Sequence, residues 1–159
     1  MKRRSALLSL ATLPAWAGAT EAGLWAARFP RPEGGELVLQ NLRGRPLLVN
    51  FWATWCAPCV RELPEINDFA KAQPTWQVVG LAVDGPTPVR EFLAKRPVGF
   101  AIGLAGLNGS ELARSLGNKG GGMPFSLALD RRGEIVWRKL GMTSRAELDA
   151  LAERVKNKG

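Results

Sequence analysis

The chain has 159 residues, of which 46% are hydrophobic and 23% are charged, and it contains no histidine. This length and composition predict one globular domain with a single core, and they argue against a disordered chain. The 22 basic and 14 acidic residues give a net charge of +8. The basic residues form neither a block nor a stripe interleaved with aromatic residues, which argues against nucleic-acid binding. The lack of histidine excludes a Ser–His–Asp triad, a Cys–His dyad and histidine metal sites.

The first 19 residues are predicted to be a signal peptide. Lys2, Arg3 and Arg4 precede a short apolar stretch, and small residues then follow in an A-x-A arrangement at positions 15–17 or 17–19. An uncleaved membrane anchor is the weaker alternative, because the apolar stretch is short and Pro14 interrupts it. We therefore predict that residues 20–159 form the mature domain, and that it is periplasmic or otherwise exported, where disulfides persist.

The apolar pattern predicts strands that alternate with helices. In chain order these are strands at residues 24–29, 36–39 and 47–53, a helix at 58–73, a strand at 78–83, a helix at 88–95, a strand at 100–104, a helix at 110–116, strands at 126–129 and 135–140, and a helix from residue 144. Thr87 is predicted to cap the second helix, and Ser144 with Glu147 to form a capping box on the last. This order predicts an α/β fold with helices on both faces of a mixed sheet that has an antiparallel edge.

Both cysteines lie in the sequence FWATWCAPC at residues 51–59. Cys56 is predicted where a buried strand passes into a helix, so amide N–H groups and the helix dipole would stabilise its thiolate. Cys59 follows one turn later, where its sulfur can approach that of Cys56 and resolve a mixed disulfide. Pro58 suits the first turn of the helix. The pattern therefore favours a reactive dithiol.

Three other interpretations of the cysteine pair are weaker. A purely structural disulfide would close a very short loop and contribute little chain-entropy stabilisation. A metal site would need further ligands, although Met123 and Met142 could serve soft Cu(I). Two inert core thiols would suit a reducing cytosol better than an exported protein.

The cysteine segment carries a family resemblance. Together with RELP at residues 61–64, MP at 123–124 and DRRGEIV at 130–136, it resembles thioredoxin-like proteins of the TlpA/ResA type. The similarity extends from about residue 37 to the C-terminus. It implies a thioredoxin-like fold with an N-terminal strand extension. It also implies an exported thiol–disulfide oxidoreductase that needs no cofactor or metal beyond its own redox-active disulfide.

Position by position, the resemblance assigns roles to five residues. It makes Cys56 the attacking cysteine and Cys59 the resolving one. It makes Pro124 a cis-proline facing the pair, which leaves the backbone of Met123 free to bind an extended substrate segment. Glu62 matches an acidic residue beside the active site that assists proton transfer to or from Cys59.

Trp55 is expected to cover the cysteine pair and to shape the docking surface, whereas Trp52 is expected in the core. Glu62 has an alternative interpretation as a solvated glutamate in the first turn of the helix. Two departures from the family pattern bear on function. Asn50 occupies the position of the buried aspartate of thioredoxins, and the segment PFS at 124–126 lacks the threonine that commonly follows the cis-proline. The first makes Glu62 the main candidate proton acceptor, and the second bears on substrate recognition.

The chain is predicted to act as a reductant. Residues 57–58 offer no charge to hold a Cys56 thiolate, and an ionised Glu62 would oppose it. Each unit by which the thiol pKa falls makes the couple about 30 mV more oxidising. We expect a monomer that reduces disulfide-bearing proteins and is recharged by a membrane thiol–disulfide donor, in the service of cytochrome c maturation as the resemblance implies. A disulfide oxidase or isomerase is the alternative within this class, and a redox-sensing or copper-binding module is the alternative outside it.

Overall fold

The computed structural model describes residues 19–157. The signal peptide predicted for residues 1–19 therefore lies, except for its last position, outside the described residues. The elements are α1 (Ala19–Ala26), β1 (Arg28–Pro30), β2 (Glu36–Val38), a 3-10 helix (Leu39–Leu42), β3 (Leu47–Trp52), α2 (Ala57–Ala72), β4 (Gln77–Ala82), α3 (Pro86–Lys95), β5 (Ala101–Leu104), α4 (Asn108–Ser115), β6 (Phe125–Leu129), β7 (Ile135–Leu140) and α5 (Arg145–Lys156). Within the described part of the chain, no helix has the length and apolar character needed to span a bilayer.

Five strands form the central sheet in the order β5-β4-β3-β6-β7. Strands β3, β4 and β5 run parallel, whereas β6 is antiparallel to both β3 and β7. Strands β1 and β2 form a separate antiparallel pair. The mixed sheet, its antiparallel edge and the N-terminal strand extension are therefore confirmed, and the fold is thioredoxin-like.

Strand β3 lies at the centre of the sheet and is buried along its whole length. Because successive side chains of a strand point to opposite faces, its residues divide between two sides of the sheet. Leu47, Val49 and Phe51 pack with residues of α1, β1, β2 and α4. Leu48 packs with residues of α2 and α5, and Trp52 with residues of α2 and α3. Helices therefore cover both faces, as the sequence predicts.

The strand predicted at residues 24–29 is wrong in its first half. Leu24 and Trp25 belong to α1, where both are buried, and the strand begins only at Arg28. The helix has the sequence ATEAGLWA, in which alanine, glutamate and leucine are strong helix formers. Trp25 also donates from Nε1 to the carbonyl of Gly133, at 3.0 Å, which ties α1 to the β6–β7 hairpin. Tertiary packing thus holds this segment as a helix.

The prediction of Thr87 as an N-cap is also wrong. Helix α3 begins at Pro86, its N-cap is Gly85, and no side chain caps it. Pro86 suits the first helical position as well as Pro88 does, because both have the fixed φ angle that this position favours. Helix α4 likewise begins at Asn108, two residues earlier than predicted.

The capping box of α5 is confirmed, and the same turn joins α5 to α2. Ser144 Oγ accepts from the Glu147 amide at 3.3 Å, and the Glu147 carboxylate accepts from the Ser144 amide at 2.8 Å. The next amide, that of Arg145, donates to Glu65 of α2 at 2.8 Å. The start of the last helix is therefore attached directly to the helix that carries the cysteines.

Candidate active site

Cys56 is the N-cap of α2, and its backbone is extended, with φ −95° and ψ 102°. Its sulfur is bonded to that of Cys59, and the two Cα atoms are 5.3 Å apart. The Cys56 sulfur also accepts from the Cys59 amide at 3.3 Å. This amide is one of the free N–H groups of the helix start, so it would remain available to a Cys56 thiolate after reduction.

The two cysteines differ in their exposure to solvent. Cys56 retains 6% of its surface in contact with water, whereas Cys59 has none. Cys56 is therefore the member of the pair that solvent can reach. Next to them in sequence, Trp55 leaves 68% of its surface in solvent. Trp52 is fully buried, as expected.

The loop that carries Cys56 is held by Asp84, which follows β4. Asp84 Oδ2 accepts from the Thr54 amide at 3.0 Å and from the Thr54 hydroxyl at 2.5 Å, and Oδ1 accepts from the Gly85 amide at 2.7 Å. The carboxylate thus fixes the β3–α2 loop against the β4–α3 loop. Asp84 is not among the site residues predicted from the sequence. Its position at the carboxyl end of a strand beside β3 is the signal that could have suggested this role.

The Met123–Pro124 peptide bond is cis, as the resemblance implies. Met123 is half-buried and packs against the apolar cluster that contains Cys56 and Cys59. Pro124 is buried, and its carbonyl accepts from the Gly141 amide at 2.8 Å. The cis-proline loop therefore lies beside the cysteine pair at the start of β6.

Glu62 lies in α2 and is fully buried. Its Oε1 accepts from Asn50 Nδ2 at 2.6 Å, and its Oε2 accepts from the Thr143 amide at 2.7 Å. Burial penalises the charged carboxylate and raises its pKa from 4.5 to about 7, against the lowering effect of these two hydrogen bonds. The alternative interpretation of Glu62 as a solvated first-turn residue is therefore wrong.

Glu62 and Cys59 are both buried residues of α2. The two residues are three positions apart in α2, a spacing that puts side chains on neighbouring parts of one helix face. A carboxyl group with a pKa of about 7 gains and loses its proton near neutral pH, as a general acid or base requires.

Asn50, which lies in β3, links Glu62 to Ser126 of the neighbouring strand β6. Besides its bond to Glu62, Asn50 Nδ2 donates to Ser126 Oγ at 3.0 Å. Asn50 Oδ1 has no hydrogen-bond partner within residues 19–157. Rotation of this amide would turn Oδ1 toward a protonated Glu62, so one side chain offers a partner to each protonation state. Ser126 and Thr143 were not predicted as site residues, and Thr143 bonds Glu62 through its main chain, which leaves no side-chain signal in the sequence.

The copper alternative names two methionine sulfurs as ligands, those of Met123 and Met142. In the described ranges, no three acidic or cysteine side chains are grouped so that they could hold a metal ion. Met142, one of the two suggested thioether ligands, has its sulfur 4.0 Å from an Arg61 guanidinium nitrogen. A cation in that position would repel a copper ion.

Comparisons with known proteins agree with this geometry. The Redoxin family model matches residues 24–153. Thiol-disulfide oxidoreductase ResA of Bacillus thuringiensis (strain Al Hakam) is 25% identical over 126 residues, which cover 77% of this chain and 70% of that protein. The structure of StoA from Bacillus subtilis superposes with a TM-score of 0.64 at 26% identity, covering 79% of this chain and 96% of that one. A thiol:disulfide interchange protein from Chlorobium tepidum TLS gives a TM-score of 0.70 at 26% identity, covering 81% and 92%.

Proposed function

The chain belongs to the Redoxin family and is a thioredoxin-like thiol–disulfide oxidoreductase, and we propose that it works as an exported reductase of protein disulfides. The observation that carries this proposal is the Cys56–Cys59 disulfide at the start of α2, followed one turn later by the buried Glu62. The disulfide supplies the two-electron couple, and Glu62 supplies a proton acceptor for the sulfur that lies inside.

In the first step, the Cys56 thiolate of the reduced enzyme attacks one sulfur of a substrate disulfide. A Cys56–substrate disulfide forms, and the second substrate sulfur leaves as a thiolate. The Cys59 amide and the other free N–H groups at the start of α2 stabilise the attacking thiolate. Trp55, Met123 and Pro124 are proposed to bind the substrate chain on either side of the reacting sulfur.

In the second step, Cys59 resolves the mixed disulfide. Its thiol loses a proton to the Glu62 carboxylate, and the thiolate attacks the sulfur of Cys56. The Cys56–Cys59 bond closes and the first substrate sulfur leaves as a thiolate, so that two electrons have passed from enzyme to substrate. The protein then needs a thiol donor to return to the dithiol state, and we assign this role to a membrane thiol–disulfide protein.

The electrostatics around the pair support the reducing direction. A reductant is a couple whose thiolate form is stabilised less than that of an oxidant, and beyond the amides of the helix start, residues 57–58 contribute no charge that would stabilise it further. Glu62, when ionised, acts on Cys59 and Cys56 through the protein interior and opposes the thiolate. The exposed Arg61 would favour the thiolate, but water and salt screen its charge.

The equilibrium reduction potential tests the proposed direction. The protein would be equilibrated in dithiothreitol or glutathione buffers and followed by tryptophan fluorescence, since Trp55 adjoins the pair. We expect a value near or below about −270 mV, the potential of thioredoxin. A value near about −120 mV, that of the oxidant DsbA, would contradict the proposal and make the protein a disulfide donor. The Cys56→Ser/Cys59→Ser variant is the control, and its fluorescence should not depend on the buffer.

Service in cytochrome c maturation is the proposed physiological role. A Cys59→Ser variant lacks the resolving thiol, so it should hold its substrate as a stable Cys56 mixed disulfide. Identification of the trapped protein by mass spectrometry tests this role. Capture of an apocytochrome c through its haem-binding cysteines would support it, and capture of unrelated exported proteins alone would contradict it.

A further inference from the structure

An open cleft of about 650 Å³ lies beside the cysteine pair, between the start of α2 and α3. Trp55, Ala57 and Arg61 line it on the α2 side, and Phe92, Lys95 and Arg96 line it on the α3 side. We call it the α3 cleft. Trp55 and Ala57 are the residues on either side of Cys56 in the sequence. A chain bound in the α3 cleft would therefore lie against the segment that carries Cys56.

The α3 cleft is positively charged. Arg61, Lys95 and Arg96 are exposed, and the lining includes a single acidic residue, Glu91. Within residues 19–157, none of these three cations takes part in a salt bridge. Arg96 instead stacks over the ring of Phe92, with its guanidinium carbon 5.7 Å from the ring centre. Unneutralised charges of one sign in a concave surface attract ligands of the opposite sign.

The lining is also partly apolar. Trp55 presents most of its ring to solvent, and Val60 and Phe92 contribute further apolar surface. An exposed aromatic ring beside unpaired cations suits a ligand with both apolar and anionic groups. A peptide in which acidic residues alternate with apolar ones has this chemistry, and an isolated small anion does not.

We propose that the α3 cleft binds an acidic segment of the protein whose disulfide exchanges with Cys56. This inference rests on the proposed function, because it names the class of protein that the same cysteine pair acts on. The acidic residues of the partner would meet Arg61, Lys95 and Arg96, and its apolar residues would meet Trp55 and Phe92. The result is a preference for disulfides that have aspartate or glutamate close to one of their cysteines.

The test compares three peptides that share one disulfide ring and differ only in flanking residues, which are acidic, neutral or basic. The rate constant for their reduction by the reduced protein is measured at low and high salt. We expect the acidic peptide to react about tenfold faster than the basic one at low salt. The Lys95→Gln/Arg96→Gln variant should reduce this ratio to about twofold or less, as should about 0.5 M NaCl, which screens exposed charges.

A matched control removes the same charge elsewhere. Lys71 and Arg154 are exposed, on the last turns of α2 and α5, and neither lines the α3 cleft. The Lys71→Gln/Arg154→Gln variant should keep the preference for the acidic peptide. Equal loss in both double variants would show that net charge alone sets the preference, and would overturn the inference.

The same three peptides distinguish a failure of the proposed reductase function from a failure of the α3 cleft inference. If the wild-type protein reduces none of the peptides, the proposed reductase function fails. If it reduces all three at the same rate, the function stands and the α3 cleft inference is overturned.

Sedimentation with phosphatidylglycerol vesicles gives a further outcome. Vesicle binding that is lost in Lys95→Gln/Arg96→Gln, without a peptide preference, would assign these cations to a membrane surface and would also overturn the inference.

Discussion

The turn before α5 supplies backbone amides to two glutamates that lie in contrasting surroundings. The Thr143 amide donates to Glu62 at 2.7 Å, and the next amide, that of Ser144, donates to Glu147 at 2.8 Å. The two bonds are almost equal in length. Nevertheless, the pKa of Glu62 is raised to about 7, whereas that of Glu147 is lowered from its ordinary value.

Solvent accounts for the difference. Glu62 is fully buried, and the cost of removing its charge from water exceeds what its two hydrogen bonds return. Glu147 is exposed and its carboxylate is bonded to the Lys139 ammonium, which is the largest cause of its lowered pKa. Equal hydrogen bonds therefore give opposite acid–base behaviour, and the buried member of the pair is the one that can exchange protons near neutral pH.

The largest expected effect comes from removing the buried carboxyl group. Glu62→Gln removes the proton acceptor proposed for Cys59, so we expect the resolving step at neutral pH to slow about 10²-fold. The mixed disulfide should accumulate in single-turnover reactions that are quenched with acid and analysed by mass spectrometry. The wild-type rate should rise as the pH passes through about 7, the pKa of Glu62 in the disulfide form, and this rise should be absent in the variant.

Glu147→Gln is the matched control, because it makes the same chemical change in the neighbouring glutamate. It should leave the rate of the resolving step and its pH profile unchanged. An equal slowing in both variants would show that the turn before α5, and not the Glu62 proton, governs the step.

The next largest effect is on the free energy of unfolding, whose dependence on pH has opposite signs for Glu62 and Glu147. Because the pKa of Glu62 is raised, its contribution to the free energy of unfolding is fully present below its unfolded pKa of 4.5. That contribution is lost as the pH rises through about 7. The shift corresponds to a loss of about 3 kcal/mol in the free energy of unfolding. Glu147 has a lowered pKa, so its contribution is present above its unfolded pKa and is lost as the pH falls through the folded one.

Urea unfolding of the disulfide form at about pH 5 and about pH 8 measures this difference. The wild-type protein should lose stability between these values, and Glu62→Gln should lose much less, since glutamine cannot ionise. A wild-type decline that persists in the variant would assign it to other groups.

The smallest effect concerns Glu147, the exposed one of the two glutamates. Ser144→Ala removes the hydroxyl that accepts from the Glu147 amide, and loss of such a cap costs about 1 kcal/mol. Thermal unfolding should detect this loss, while the pH profile of the resolving step stays as in the wild type. Thr75→Ala, a change at an exposed residue whose side chain caps no helix, is the control. A shifted pH profile in Ser144→Ala would show that the two glutamates are coupled through the turn.

Most of the fold could be predicted from the sequence because local patterns determine it. Buried strands such as β3 are continuous apolar runs, and the capping box of α5 has a specific residue signature. The failures have local causes too. Residues 24–26 combine helix formers with large apolar side chains that also suit strands, and Pro86 competes with Pro88 for the first position of α3.

The candidate site could be predicted only where the chemistry lies in side chains close in sequence. The segment 51–59 indicates the cysteine pair and its helix, and the family resemblance implies the cis bond at Pro124. The environment of Glu62 could not be predicted, because it depends on which side of β3 Asn50 faces and on an amide from a distant turn. The α3 cleft likewise depends on how α3 packs beside α2, which periodicity alone does not determine.

The hydrogen bond from the Thr143 amide to Glu62 bears on the order in which the parts of the site are completed. It joins residues that are 81 positions apart, and the neighbouring bond from Arg145 to Glu65 spans 80. A nascent chain that ends before residue 143 already contains both cysteines, but Glu62 then lacks the amide that holds it. The hydrogen-bonded surroundings of Glu62 are therefore complete only when the turn before α5 is in place.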